Sequence, residues 1–183
     1  MNMKDFCDLV KVRRSIRKFQ DKAVEIDKVK GILKAVLMAP SSKRSQPWQF
    51  LVVDDKAKLS AMSTCREMGC KFLSEAPMAV VILADESLSD VWVEDASIAA
   101  AYMQLAAEDS GLGSCWVQVR NRKTPDGNDS TENYLRNLLS IPEGYKVECI
   151  VALGYKEEEK SPFEESKLKW DRVKYNQFDN SLD

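Results

Sequence analysis

The 183-residue chain contains no histidine. That absence removes Ser-His-Asp and Cys-His catalysis, and it removes the commonest metal ligand. If the chain is an enzyme, a bound cofactor is the simplest source of its chemistry. Its five cysteines, Cys7, Cys65, Cys70, Cys115 and Cys149, are odd in number, and no pair has C-x-x-C spacing. A structural zinc site needs four close ligands, so these read as reduced, partly buried thiols and no metal is expected. No stretch approaches the ~20 apolar residues that cross a bilayer. The opening residues Met1–Phe6 mix acidic and apolar side chains and do not read as an export leader. These features together point to a cytoplasmic protein with no membrane partner. The net charge of −2 gives no argument for a nucleic-acid binder, so any basic site is local. The G-x-G-x-x-G dinucleotide fingerprint is also missing.

What is present suits one globular domain over residues 1–183. Hydrophobic residues make up 44% and charged residues 31%, which excludes a disordered chain. Phe6, Leu9 and Val10 give a helical face. Val29, Ile32, Leu33, Val36 and Leu37 recur at helical spacing after Asp27. Gln49–Val53 reads as a strand, and 55–68 is helical in composition. Met78–Leu83 is an unbroken apolar run of the kind buried on both faces of a sheet. The stretch 91–110 is the longest helix candidate, and its alanines suit a central helix or one at a subunit interface. Gly111 and Gly113 end it. Strands follow at 114–119 and 148–153, with a turn-rich loop at 124–129 and a short helix from Ser130 or Thr131 to Leu139. The tail 156–183 is charged but holds Phe163, Trp170, Tyr175 and Phe178, so it reads as an extended arm that packs on something. Interleaved strands and helices give an α/β or α+β layered architecture.

Three segments carry candidate chemistry. Arg13-Arg14-Ser15-Ile16-Arg17 offers guanidinium forks that match phosphate oxygens, with a hydroxyl between them. Taken alone, such a run is more often a solvated turn. Pro40-Ser41-Ser42-Lys43-Arg44 follows a helix and leaves backbone and hydroxyl donors for a polar ligand. Its plain reading is a Pro-bounded connection, with Trp48 as a core anchor. Gly111-Leu112-Gly113 permits close backbone approach to a flat ligand, or is simply a helix C-cap.

The order of these segments resembles the nitroreductase family. Arg-Arg-Ser-x-Arg comes first, then Ala39-Pro40-Ser41-Ser42 with Gln46-Pro47-Trp48, then Glu94–Ala99 on a long helix. Gly111–Trp116 and Ala152-Leu153-Gly154-Tyr155 complete the set, which spans nearly the whole chain. The resemblance implies an α+β fold with a mainly antiparallel central sheet flanked by helices. It implies a homodimer with FMN at the subunit interface and the tail 156–183 as a dimer arm. It also implies NADH or NADPH as electron donor and a ping-pong transfer to nitroaromatics, quinones or similar small acceptors. Carried over by motif, Arg13, Arg14 and Ser15 meet the FMN phosphate and ribityl chain. Arg17 lies near N1 and O2 of the ring, where a fixed cation favours the reduced anion. Pro40, Ser41, Ser42 and Arg44 reach the cofactor from the partner chain. Trp116, Val117 and Gln118 border the ring. Lys167 completes the phosphate site, with Arg172 as its competitor. No protein acid or base is required.

Two departures bear on substrate class. Many family members carry asparagine where this chain has Arg44, and histidine where it has Lys174. The chain is short for the family, which implies a reduced lid and a broad acceptor range. The competing readings are dehalogenation or flavin fragmentation on the same scaffold, and a non-catalytic flavin-binding dimer. A nucleic-acid binder using Lys11–Lys18 is the least consistent with the charge.

Overall fold

The computed structural model describes residues 6–182. The reading of the opening residues as no export leader falls mainly on Met1–Asp5, outside the described residues. Helix α1 covers Phe6–Val12 and α2 covers Ile26–Leu37. The periodic residues Val29, Ile32 and Val36 are the ones α2 buries. Strand β1 (Trp48–Val53) leads to α3 (Lys56–Met62), whose first turn is capped by Asp55 accepting from Lys58 N–H at 2.9 Å. Next come β2 (Met78–Asp85), α4 (Trp92–Asp109) and β3 (Gly113–Gln118). Then α5 (Thr131–Leu139) begins at Ser130, whose hydroxyl accepts from Asn133 N–H at 3.0 Å. Strand β4 (Tyr145–Gly154) is the last of the main sheet. The tail carries a small hairpin, β5 (Lys174–Tyr175) and β6 (Gln177–Ser181), and its side chains from Ser161 onward are exposed.

The main sheet is antiparallel throughout, in the order β1-β2-β4-β3. Strands β2 and β4 are therefore central, and both are almost wholly buried. Helices α2 and α4 cover one face, where Val29, Ile32 and Met103 pack on Val80, Ile82 and Val151. Helices α3 and α5 cover the other, where Leu59, Met62 and Leu135 pack on Val81, Val117 and Ile150. This is the α+β layering implied by the sequence. The alanines of α4 serve this packing: Ala96, Ala99, Ala100 and Ala107 are buried inside the chain. Trp48 is the core anchor it reads as.

The stretch 55–68 is shorter as a helix than its composition suggests. It stops at Met62 because hydroxyls turn back on their own backbone. Ser63 Oγ donates to Ser60 O at 2.7 Å and Thr64 Oγ1 to Ala61 O at 2.8 Å. The central pairing also slips once. Ile82 faces Cys149 and Leu83 faces Val147, so Glu148 is the extra residue of a β-bulge.

Candidate functional site

The basic run lies along the outer edge of β3. Ser15 bridges to Ser114, and Ile16 N–H donates to Ser114 O at 2.9 Å. Ile16 itself is core, 2% exposed. The flanking Arg13, Arg14, Ser15 and Arg17 are thereby held at the surface of an edge strand.

The other side of the run is held by the segment after β4. Glu158 Oε1 accepts the backbone N–H of Arg17 at 2.7 Å and of Lys18 at 3.3 Å. Lys160 Nζ donates to Ser15 O at 2.6 Å and pairs with Glu158 at 3.2 Å. Glu157 N–H donates to Lys18 O at 3.1 Å. The donated N–H of Arg17 holds the Glu158 carboxyl below the usual glutamate range.

Cations gather here. Arg14, Lys160 and Lys167 line one cavity of about 310 Å³, together with Ser161 and Glu164. Arg14 donates to Ser161 O, and Lys167 pairs with Glu164 at 2.7 Å. An apolar cavity of about 570 Å³ shares Arg14 and Phe163 with it and adds Arg13, Phe6, Val10 and Leu168. Arg13 also reaches Gln104 of α4 at 3.4 Å. Burial pushes the Cys115 thiol up, against the pull of Arg17, the Ser15 hydroxyl, Lys160 and Arg13. Arg14, Lys160 and Lys167 around one cavity that adjoins a mostly apolar one make a polar-to-apolar gradient, an arrangement able to accept an amphiphilic phosphate monoester. Arg172 lies farther along, in the turn Trp170–Arg172, and Lys174 is exposed on β5.

Lys160 and Glu158 were not singled out from sequence. Their signal, three glutamates between two lysines in Lys156–Lys160, is common on solvated surfaces. Only the fold brings them to Ser15, more than 140 positions away.

The loop between α2 and β1 stands apart from this cluster. Pro40, Lys43 and Arg44 are exposed, and Ser41 and Ser42 are half-buried. Lys43, Arg44 and Gln46 hold φ of 52°, 58° and 45°, left-handed values that cost side-chain-bearing residues energy. Ser42 N–H donates to Asp95 Oδ1 at 2.8 Å, and Gln46 N–H donates to Ser41 Oγ at 3.0 Å. Among the described residues, the loop's hydrogen bonds run within itself and to Asp95, Val36 and Asp85, not to Arg13–Arg17.

Strand alternation separates the three β3 residues. Val117 is 1% exposed and packs in the core on the α3 side, while Trp116 lies against the α4 side. Trp116 Nε1 donates to Gln118 Oε1 at 2.9 Å, and Gln118 Nε2 donates to Arg120 O at 3.1 Å. Val117 thus has only its backbone to offer a ligand. Nearby, Glu148 is 4% exposed; Ser97 Oγ reaches its Oε1 at 3.4 Å, and Oε2 has no partner among the described residues. Burial pushes its carboxyl above the usual range.

The two glycines after α4 have different local reasons. Gly111, at φ 75°, is the left-handed C-cap: its N–H donates to Glu108 O and Leu112 N–H donates to Ala107 O. Gly113 makes room for Ile16: a Cβ there would lie 2.8 Å from the Ile16 Cβ. On the Cβ side of Gly113, the close approach is made by a side chain of the chain itself.

Among the described residues there is no metal-ligand cluster, and no helix is long and apolar enough to cross a membrane. The sequence profile of the nitroreductase family matches residues 10–68 and 61–155. A protein of Archaeoglobus fulgidus with the provisional name NADH dehydrogenase/NAD(P)H nitroreductase is 38% identical, covering 88% of this chain and 91% of its own. The solved structure of an FMN-dependent nitroreductase from Clostridium difficile R20291 superposes with a TM-score of 0.92 at 51% identity, covering 94% of this chain and 100% of that one. The iodotyrosine deiodinase of Thermotoga neapolitana is 26% identical, covering 96% of this chain and all of that protein, 100%.

Proposed function

The chain belongs to the nitroreductase family, and on that premise we propose that it is an FMN-dependent oxidoreductase working as a homodimer in the cytoplasm. It takes electrons from NADH or NADPH and passes them, in a ping-pong cycle, to nitroaromatics, quinones or similar small acceptors. The observation that carries the reading is the cavity lined by Arg14, Lys160 and Lys167 beside Ser15 on the open edge of β3.

Arg14, Lys160 and Lys167 hold the phosphate, with Arg13 and the Ser15 hydroxyl beside them. Charge-assisted hydrogen bonds of this kind contribute roughly 1.5–3 kcal/mol each. Arg17, whose backbone is pinned by Glu158, would hold its cation near the N1 and O2 side of the ring, where it would favour the negative charge of a reduced flavin. Trp116 and Gln118 border the ring with side chains, and Val117 with backbone. Pro40, Ser41, Ser42 and Arg44 of a second copy close the other side, and the aromatic tail clasps that copy. When bound, FMN supplies hydride acceptance and donation at N5, chemistry that no side chain here provides. The absence of histidine is consistent with protons coming from water or substrate.

The 26% likeness to a deiodinase is the observation behind a second reading, reductive dehalogenation at the same site. A visible spectrum of the purified protein tests the main proposal. Flavin absorption that bleaches on anaerobic addition of NADH or NADPH is the expected result. A colourless protein that takes up no added FMN sinks it, and bound flavin that neither donor bleaches leaves a non-catalytic flavin-binding dimer.

A further inference from the structure

We propose that Asp95 is a positioning residue for the cofactor: it holds the Pro40–Pro47 loop in the shape that presents Ser42 and Arg44. This rests on the FMN reading above. Asp95 stands in the first turn of α4 and is 2% exposed. Its Oδ1 accepts Ser42 N–H at 2.8 Å. Its Oδ2 accepts the Ser89 hydroxyl at 2.8 Å and is within 3.5 Å of Ser45 Oγ. These donors are neutral, and the positive end of the α4 dipole lies beside the carboxylate.

The arrangement is specific to the loop. Ser42 and Ser45 bracket Lys43 and Arg44, and both brackets point at the same carboxylate. Between them and just beyond, Lys43, Arg44 and Gln46 sit at left-handed φ with full side chains. Non-glycine residues persist there only when their surroundings over-determine them. Asp95 supplies that constraint from below, and the Ser41 hydroxyl closes the loop on Gln46 N–H at 3.0 Å. Both Lys43 and Arg44 are exposed in this conformation. Without the carboxylate, the loop relaxes to right-handed backbone and Arg44 swings to a new bearing. Asp95 need not touch the cofactor for this to weaken its binding.

The test compares Asp95→Ala and Asp95→Asn with Thr131→Ala. Thr131 is equally buried, donating to Cys65 O at 3.2 Å among the core residues on the opposite face of the sheet. FMN affinity is read by flavin fluorescence, the ring's surroundings by visible circular dichroism, and stability by melting temperature. Asp95→Ala is expected to weaken FMN binding about tenfold, the worth of one charge-assisted hydrogen bond, and to alter the flavin dichroism. Asp95→Asn keeps an acceptor for Ser42 and is expected to lose about a third of that effect on a logarithmic scale. Thr131→Ala is expected to lower the melting temperature while leaving FMN affinity and dichroism unchanged. If Asp95→Ala does not fold, Asp95→Asn carries the test, and wild-type affinity and dichroism in that variant overturn the role. Affinity loss in Asp95→Ala no greater than in Thr131→Ala overturns it as well. Wild-type protein that takes up no FMN overturns the cofactor reading itself, a separate result.

Discussion

Ile16 rests against the place where Gly113 has no side chain: a Cβ built on Gly113 would meet Ile16 Cβ and Cγ2 at 2.8 Å and Cγ1 at 2.9 Å. This contact fixes how closely the basic run approaches β3. Ser15 and Arg17 flank Ile16, so their direction depends on it. Gly113→Ala is therefore expected to cost roughly 1–3 kcal/mol by overpacking and to weaken FMN binding. Gly111→Ala is the comparison, because its Cβ meets nothing within 4 Å but its φ of 75° is strained. It is expected to lose about 1 kcal/mol and to keep FMN affinity. Equal FMN binding by wild type and Gly113→Ala would show that Ile16 does not position the run.

The Glu158 clasp gives a pH prediction. Its folded value lies below the usual glutamate value of about 4.3, chiefly because Arg17 N–H donates to it. A depressed carboxyl stabilises the fold above its unfolded value, and that stability is lost as pH falls through the folded value. Wild type is expected to melt above Glu158→Gln at pH 7, and the margin is expected to vanish on acidification below about pH 4. A margin that persists unchanged at low pH would refute the clasp.

Glu148 predicts the opposite sign. Its carboxyl is raised by burial, so its contribution is full below the usual glutamate value and falls as pH rises through the folded value. Glu148→Gln removes a buried charge whose Oε2 has no partner among the described residues. At pH 8 it is expected to stabilise by about 1 kcal/mol, or roughly 2–4 °C, with no gain near pH 4. Thermal melts at the two pH values check this; a variant less stable than wild type at pH 8 contradicts it.

Thiol labelling provides a further check. Cys7 is exposed, whereas Cys65, Cys70, Cys115 and Cys149 are buried and none is in a disulfide. Burial and the neighbouring Cys70 push the Cys65 thiol up to about 12, so almost none is thiolate at pH 8. Iodoacetamide at pH 8 is expected to modify one cysteine in the native protein and five after unfolding, read by mass. Rapid native labelling of Cys65 would contradict its burial.

The sequence by itself determined the layered scheme and the residue classes of the site. Val29, Ile32 and Val36 recur at helical spacing and are buried on α2; Met78–Leu83 is apolar throughout and lies at the sheet's centre. These are local signals, since period and composition act over a few residues. The basic run and the Pro40–Arg44 loop were legible as donors for the same reason. The end of α3 was not, because Ser63 and Thr64 can serve helix or backbone turn, and here their hydroxyls bond back to Ser60 O and Ala61 O.

Only the tertiary structure decided what those donors stand against. It set Lys160 on Ser15 and Glu158 on Arg17, and it put Asp95 beneath Ser42. It set Ile16 in the space a Gly113 side chain would need. It turned Val117 into the core while leaving Trp116 on the other face. Each of these joins residues far apart in the chain, or chooses between two faces of a strand. Composition carries no record of that choice, because it is made by sheet register and by which buried groups find a partner.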